Sequence, residues 1–188
     1  MLRRTAPGFL CAASLTVPLL ACSDTEPHRA EDTRGGESWV PLVEASAWAV
    51  AAETSDPFPE HRPAQVECLA GFFVEGDALE VDTGRCNFLS VSQPLRADVL
   101  AGDVLRVEAW WQTLASESPA EAHLALAVGG HVLWEETIPI PSPADARSLE
   151  WAAEEDLLAG SEVVLHLHNH GANTWKFAEF SVLPLPAN

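Results

Sequence analysis

An antiparallel β-sandwich is the fold that the sequence predicts for residues 38–188, and three observations predict it. Short runs alternate apolar and polar side chains, the period of strands with one face in a core. Turn residues separate those runs: Glu75-Gly76-Asp77, Ala101-Gly102-Asp103, Gly129-Gly130, Asp156–Ser161 and Asn169–Asn173. Helical pattern is confined to Glu44–Glu53 and Pro143–Asp145. A domain of ~150 residues can bury about 70% of its unfolded surface, enough for a true core.

The elements follow in order. Phe72-Phe73-Val74 and Leu79-Glu80-Val81 flank Glu75-Gly76-Asp77 as a tight hairpin, and Asn87–Val91 forms the next strand. In Val104–Gln112, Leu105, Val107, Ala109 and Trp111 share one face, and Arg106, Glu108 and Trp110 the other. In Ala122–Val128, Leu124, Leu126 and Val128 oppose His123, Ala125 and Ala127. Gly129-Gly130 turns the chain into His131–Glu135. Thr137–Pro141 is extended, and its prolines confine it to an edge or an exit. Arg147–Ala152, Glu162–His170 and Thr174–Leu183 complete the set. Over most of residues 66–188 this strand pattern, closing on two long strands, resembles the jelly rolls of the galactose-binding-like class. The resemblance implies a jelly-roll-like sandwich and, since fold does not fix function, little about activity.

The N-terminal segment reads differently. Arg3 and Arg4 precede an apolar run, Phe9–Ala21, of 13 residues. A membrane-spanning helix needs ~20, so the run is a secretory signal rather than a span. Its end, Leu19-Leu20-Ala21-Cys22, resembles the lipobox of bacterial lipoproteins. That resemblance implies cleavage before Cys22, a diacylglycerol thioether on Cys22 and an acylated new N-terminus. Two or more chains make such an anchor stable, at about 0.8 kcal/mol per buried CH₂. In that family an aspartate after the cysteine often retains the protein at the inner membrane. Ser23 therefore implies export to the outer membrane of the cell envelope. Residues 1–21 are thus read as signal, 22–37 as a polar, aperiodic, flexible tether, and 38–188 as the sandwich.

Charge narrows the partners. The chain has 10 Lys+Arg against 28 Asp+Glu. Removing residues 1–21 removes two arginines and no acid, leaving a formal charge of 8 − 28 = −20. Such a surface repels nucleic acid and anionic lipid alike, so attachment to the bilayer falls to the acyl chains. Of the four cysteines, the lipobox resemblance implies that Cys11 leaves with the signal and that Cys22 takes lipid. Cys68 and Cys86 remain for pairing in an oxidising compartment.

Two constellations carry chemistry. In Glu162–His170, His166, His168 and His170 would line one face of a strand at ~7 Å steps, with Leu165 and Leu167 in the core. Imidazoles so placed suit zinc or copper, the open alternative being surface or groove histidines, with His170 in a turn. The spacing Gly160…His166-Leu167-His168 resembles the opening of a cupin metal motif, but the glutamate that motif requires is missing from Asn169–Lys176. The second constellation is a ligand face of Arg106, Glu108, Trp110 and His123, provided their strands share a sheet. The alternative is that segment 38–60, with Trp39, Trp48 and Phe58, covers Trp110. Glu75, Asp77, Glu80 and Asp82 form an acidic patch without the spacing of a calcium loop. No G-x-S-x-G, H-E-x-x-H or phosphate-binding glycine loop is present, so no catalytic residue is assigned. The sequence therefore predicts a lipid-anchored envelope protein with a non-catalytic binding role, its partner a glycan or an envelope protein and no cofactor required. The alternative is a metal-binding or metal-dependent protein built on the three histidines.

Overall fold

The computed structural model describes residues 38–68 and 70–186. The signal, Cys22 and the tether 22–37 lie outside the described residues. Among the described residues, eleven strands form two antiparallel sheets packed face to face, confirming the predicted sandwich. The first sheet runs β3 (Phe72–Glu75), β4 (Ala78–Asp82), β11 (Thr174–Leu183), β6 (Val104–Trp111), β9 (Asp145–Ala152), with β1 (Val40–Pro41) also pairing to β11. The second runs β2 (Ala49–Val50), β5 (Phe88–Pro94), β10 (Glu162–His168), β7 (Ala120–Val128), β8 (His131–Ile140).

The alternation read from sequence sets which side chains enter the core. Leu105, Val107, Ala109 and Trp111 of β6 meet Leu124, Leu126 and Val128 of β7 and Val163, Leu165 and Leu167 of β10 in one buried cluster. At ~25 cal/mol per Å² of apolar area removed from water, this cluster is the main favourable term in folding. The β3–β4 hairpin forms as predicted, with Glu75 opposite Ala78 and Gly76 at φ +62°. β8 is an edge strand, as its proline-bearing end requires.

Both helical expectations fail. Glu44–Glu53 is broken into a 3-10 turn (Ala45–Ala47), β2 and the start of a second 3-10 turn (Glu53–Ser55). Trp48 supplies the reason, since it is drawn into the core beside Phe177. Tertiary burial of one indole outweighs the weak helical preference of an alanine-rich run. Pro143 and Ala144 form loop, and Asp145 already pairs with Trp111 as the first residue of β9. Cys68 and Cys86 form the expected disulfide.

Segment 51–63 then crosses the outer face of the second sheet and includes the 3-10 turn Pro59–His61. This explains why alternate residues of β7 and β10 are buried on both faces: Ala125, Ala127 and His166 point away from the core and are still shielded. At the far end, Thr83 anchors the loop after β10. Its hydroxyl accepts from Asn169 Nδ2 (2.9 Å) and from the Asn173 amide (2.8 Å).

Candidate functional site

The predicted ligand face is divided between the two sheets. Arg106, Glu108 and Trp110 lie on the outer face of the first sheet, whereas His123 is on β7 of the second. The sandwich core separates them, so the four residues cannot act on one ligand. Trp110 is half-buried, with the Lys176 ammonium 5.0 Å from its ring centroid. Arg106 donates to Glu150 (3.0 Å from Nε) and lies 3.8 Å over the ring of Trp39.

Glu108 belongs to a groove that strand pairing creates. β11 pairs with β4 only as far as Phe177 and with β1 only from Ser181. A register shift between Phe177 and Glu179 lies in the gap. Bulges re-aim side chains in this manner. Glu179 and Glu108 are paired across β11 and β6, and both line an open groove of about 590 Å³ beside Trp39, Glu44, Asp77 and Arg96. The wall therefore combines one half-buried indole with four carboxylates and a single guanidinium.

The second sheet holds the histidines. His166 and His168 share the outward face of β10, as predicted, and His123 sits directly opposite His168 on β7. His170 is beyond the end of β10, in the exposed loop held by Thr83. His170 is therefore off the strand face that carries His166 and His168. The ligating atoms that the structure brings within 4.8 Å of one another are those of His61, His123 and His166. His61 was not singled out in the sequence because it stands alone in a segment without periodicity, 105 residues from His166.

Each ring is held by specific neighbours. His166 is fully buried, and its Nδ1–H donates to Asp56 Oδ1 at 2.9 Å. The Phe58 amide donates to the same oxygen at 2.9 Å, while Asp56 Oδ2 is buried without a partner. Burial pushes the Asp56 carboxyl up, but the hydrogen bonds from His166 and Phe58 outweigh it and hold it below its ordinary value. His123 Nε2–H donates to Glu135 at 3.2 Å, leaving its buried Nδ1 without a partner. Burial is the main cause of a lowered His123 pKa, opposed by Glu135 and reinforced by His166 and His61. His61 Nδ1 lies 3.4 Å from His166 Nε2. Phe58 stacks on His61 (5.5 Å) and meets His123 edge-on (4.5 Å). His168 stacks on His61 at 5.5 Å, and burial, then the charge of His170 and the other histidines, depress its pKa to about 4. An opening lined by His61, His123, Thr137, His168 and His170 connects the cluster to solvent.

No protein-family model matches this chain, and no curated protein does. Solved structures do. A protein described under "CBM4 structure and function" aligns over 74% of this chain and 96% of its own, with 11% identity and a TM-score of 0.40. A family 35 carbohydrate binding module from Clostridium thermocellum aligns over 78% and 98%, with 12% identity and a TM-score of 0.39. TmCBM61, solved in complex with β-1,4-galactotriose, aligns over 79% and 89%, with 14% identity and a TM-score of 0.34. At such scores the likenesses carry no functional weight, and the sandwich is defined by its own strand pairing.

Proposed function

We propose that this chain is an exported, lipid-anchored binding module that takes a neutral carbohydrate in the groove between β1, β11 and the β3–β4 hairpin. One observation carries the reading: an indole and several carboxylates converge on one open groove of ligand-site size. Trp39 offers a flat apolar surface for the C–H face of a pyranose, and the Arg106 guanidinium fixes that ring in place. Glu108 and Glu179 are acceptors suited to sugar hydroxyls. Ser148 Oγ donates to Glu108 at 3.1 Å, and Ser181 donates to Glu179, so both carboxylates are oriented before a ligand arrives. Four acids against one arginine disfavour an anionic glycan, which limits the class to neutral sugars.

The export half of the proposal rests on the Leu19–Cys22 pattern, and the Cys68–Cys86 bridge supports an oxidising location. A glycan array with the full chain, repeated with Trp39→Ala and Glu108→Gln, tests the groove. Binding of neutral glycans that Trp39→Ala removes is expected. Binding unchanged in both variants, or none to any glycan, refutes it. Mass analysis of the mature N-terminal peptide tests the anchor: an unmodified Cys22 contradicts it.

A further inference from the structure

We propose that His61, His123 and His166 form a three-histidine site for a divalent transition cation of the zinc type, which fastens segment 51–63 to the second sheet. The argument is independent of the groove, which lies on the other side of the sandwich.

The first support is donor geometry. A tetrahedral ion with metal–nitrogen bonds of about 2.0–2.1 Å needs its ligand nitrogens about 3.4 Å apart. His61 Nδ1 and His166 Nε2 stand at 3.4 Å. The widest separation in the trio, up to 4.8 Å, must close by about 1.4 Å on binding. His61 is the natural mover, being partly exposed and carried on a single 3-10 turn.

The second support is the outer hydrogen bonding. Metal-ligating histidines usually donate their other ring N–H to a carboxylate or carbonyl, which fixes the tautomer and raises ligand basicity. Two of the three rings have this arrangement. Asp56 accepts from His166 Nδ1 and leaves Nε2 to ligate. Glu135 accepts from His123 Nε2 and leaves Nδ1 to ligate. Each carboxylate thus selects the tautomer whose free nitrogen carries a lone pair.

The third support is an unmet need. His123 is 8% exposed, and its Nδ1 has no hydrogen-bond partner, although its ring is 4.5 Å from that of His61 and 5.4 Å from that of His166. A buried acceptor left in this state is destabilising. A cation bound among the three rings satisfies it. The donor set is all imidazole, which selects zinc or copper over calcium and magnesium, both of which demand oxygen. The opening toward Thr137 and His168 leaves room for a fourth ligand from solvent.

The test uses the full-length chain without an affinity tag, stripped with chelator and titrated with zinc chloride. Binding is read by calorimetry and by the melting temperature. One zinc per chain is expected, with a raised melting temperature, and cobalt in its place should give the visible absorption of a tetrahedral site. His61→Ala should weaken zinc binding at least tenfold, because its partly exposed ring can be removed without opening the core. His123→Gln, retaining volume, should do the same. His170→Ala, outside the trio, should leave binding unchanged. No zinc-dependent rise in melting temperature overturns the proposal, as does binding that survives in His61→Ala. Loss in His170→Ala together with retention in His123→Gln would overturn it in favour of a loop site.

Discussion

Removing the Asp56 carboxylate should destabilise the protein by an amount that the surrounding hydrogen bonds set. Asp56→Ala deletes one acceptor oxygen that serves two donors, the Nδ1–H of His166 and the Phe58 amide, each at 2.9 Å. His166 has no solvent exposure, so water cannot replace the lost partner. A buried donor left unsatisfied costs about 1–3 kcal/mol, and the part-buried Phe58 amide adds about 1 kcal/mol. The expected loss is about 3 kcal/mol, which lowers the melting temperature by about 9 °C for a domain of this size. Asp56→Asn keeps an acceptor oxygen in place and gives up only the strengthening that charge provides. It should lose about 1 kcal/mol. Urea unfolding followed by tryptophan fluorescence, in chelator to exclude metal, measures both. The slope with urea should stay constant, since the exposed area does not change. A loss below 1 kcal/mol for Asp56→Ala would show that the buried pair does not hold segment 51–63 to the sheet. Equal losses for the two variants would refute the role assigned to Asp56 Oδ1.

Acidification of the metal-free protein should act through His168. Its pKa is about 4 when folded and near 6.5 unfolded, so between those values the unfolded chain binds more protons and stability falls as pH falls. By pH 5 the loss is at most about 2 kcal/mol, less in proportion to solvent access, and His168→Gln should flatten the pH profile of the melting temperature. Breaking the Cys68–Cys86 bridge by double alanine substitution frees a loop with a sequence separation of 18, worth about 3 kcal/mol in the chain-entropy model. Urea midpoints of oxidised wild type and the variant give that value, and an unchanged midpoint contradicts it. Gly171→Ala and Gly76→Ala should differ although both glycines have positive φ. At Gly171 (φ +87°) a Cβ would sit 2.0 Å from the Ala115 carbonyl oxygen, whereas at Gly76 (φ +62°) it meets nothing within 4 Å. Gly76→Ala should cost about 1 kcal/mol and Gly171→Ala more than ~3 kcal/mol, as melting temperatures would show, because backbone must move as well.

How far the sequence reaches depends on whether a property is local. Alternation along Val104–Trp111 and Ala122–Val128 fixes which side chains enter the core, because successive strand residues must point to opposite faces. The Gly76-Asp77 turn and the edge position of β8 are equally local, and the Cys68–Cys86 pairing was legible in the sequence. The helical reading of Glu44–Glu53 failed because the fate of that run was decided by where Trp48 could be buried. The outward pointing of His166 and His168 was legible in β10 alone, yet their true neighbours were not.

By itself, then, the sequence determined the strand period, the inward and outward faces, the disulfide and the acidic surface. Only the tertiary structure decided that Arg106 and His123 stand on opposite sheets, that Glu108 and Glu179 share a notch, and that His61 and Asp56 close over His166. The physical reason is that strand order and loop docking depend on the summed burial of distant segments. A one-dimensional pattern records which face a residue presents and carries no record of what will be packed against it.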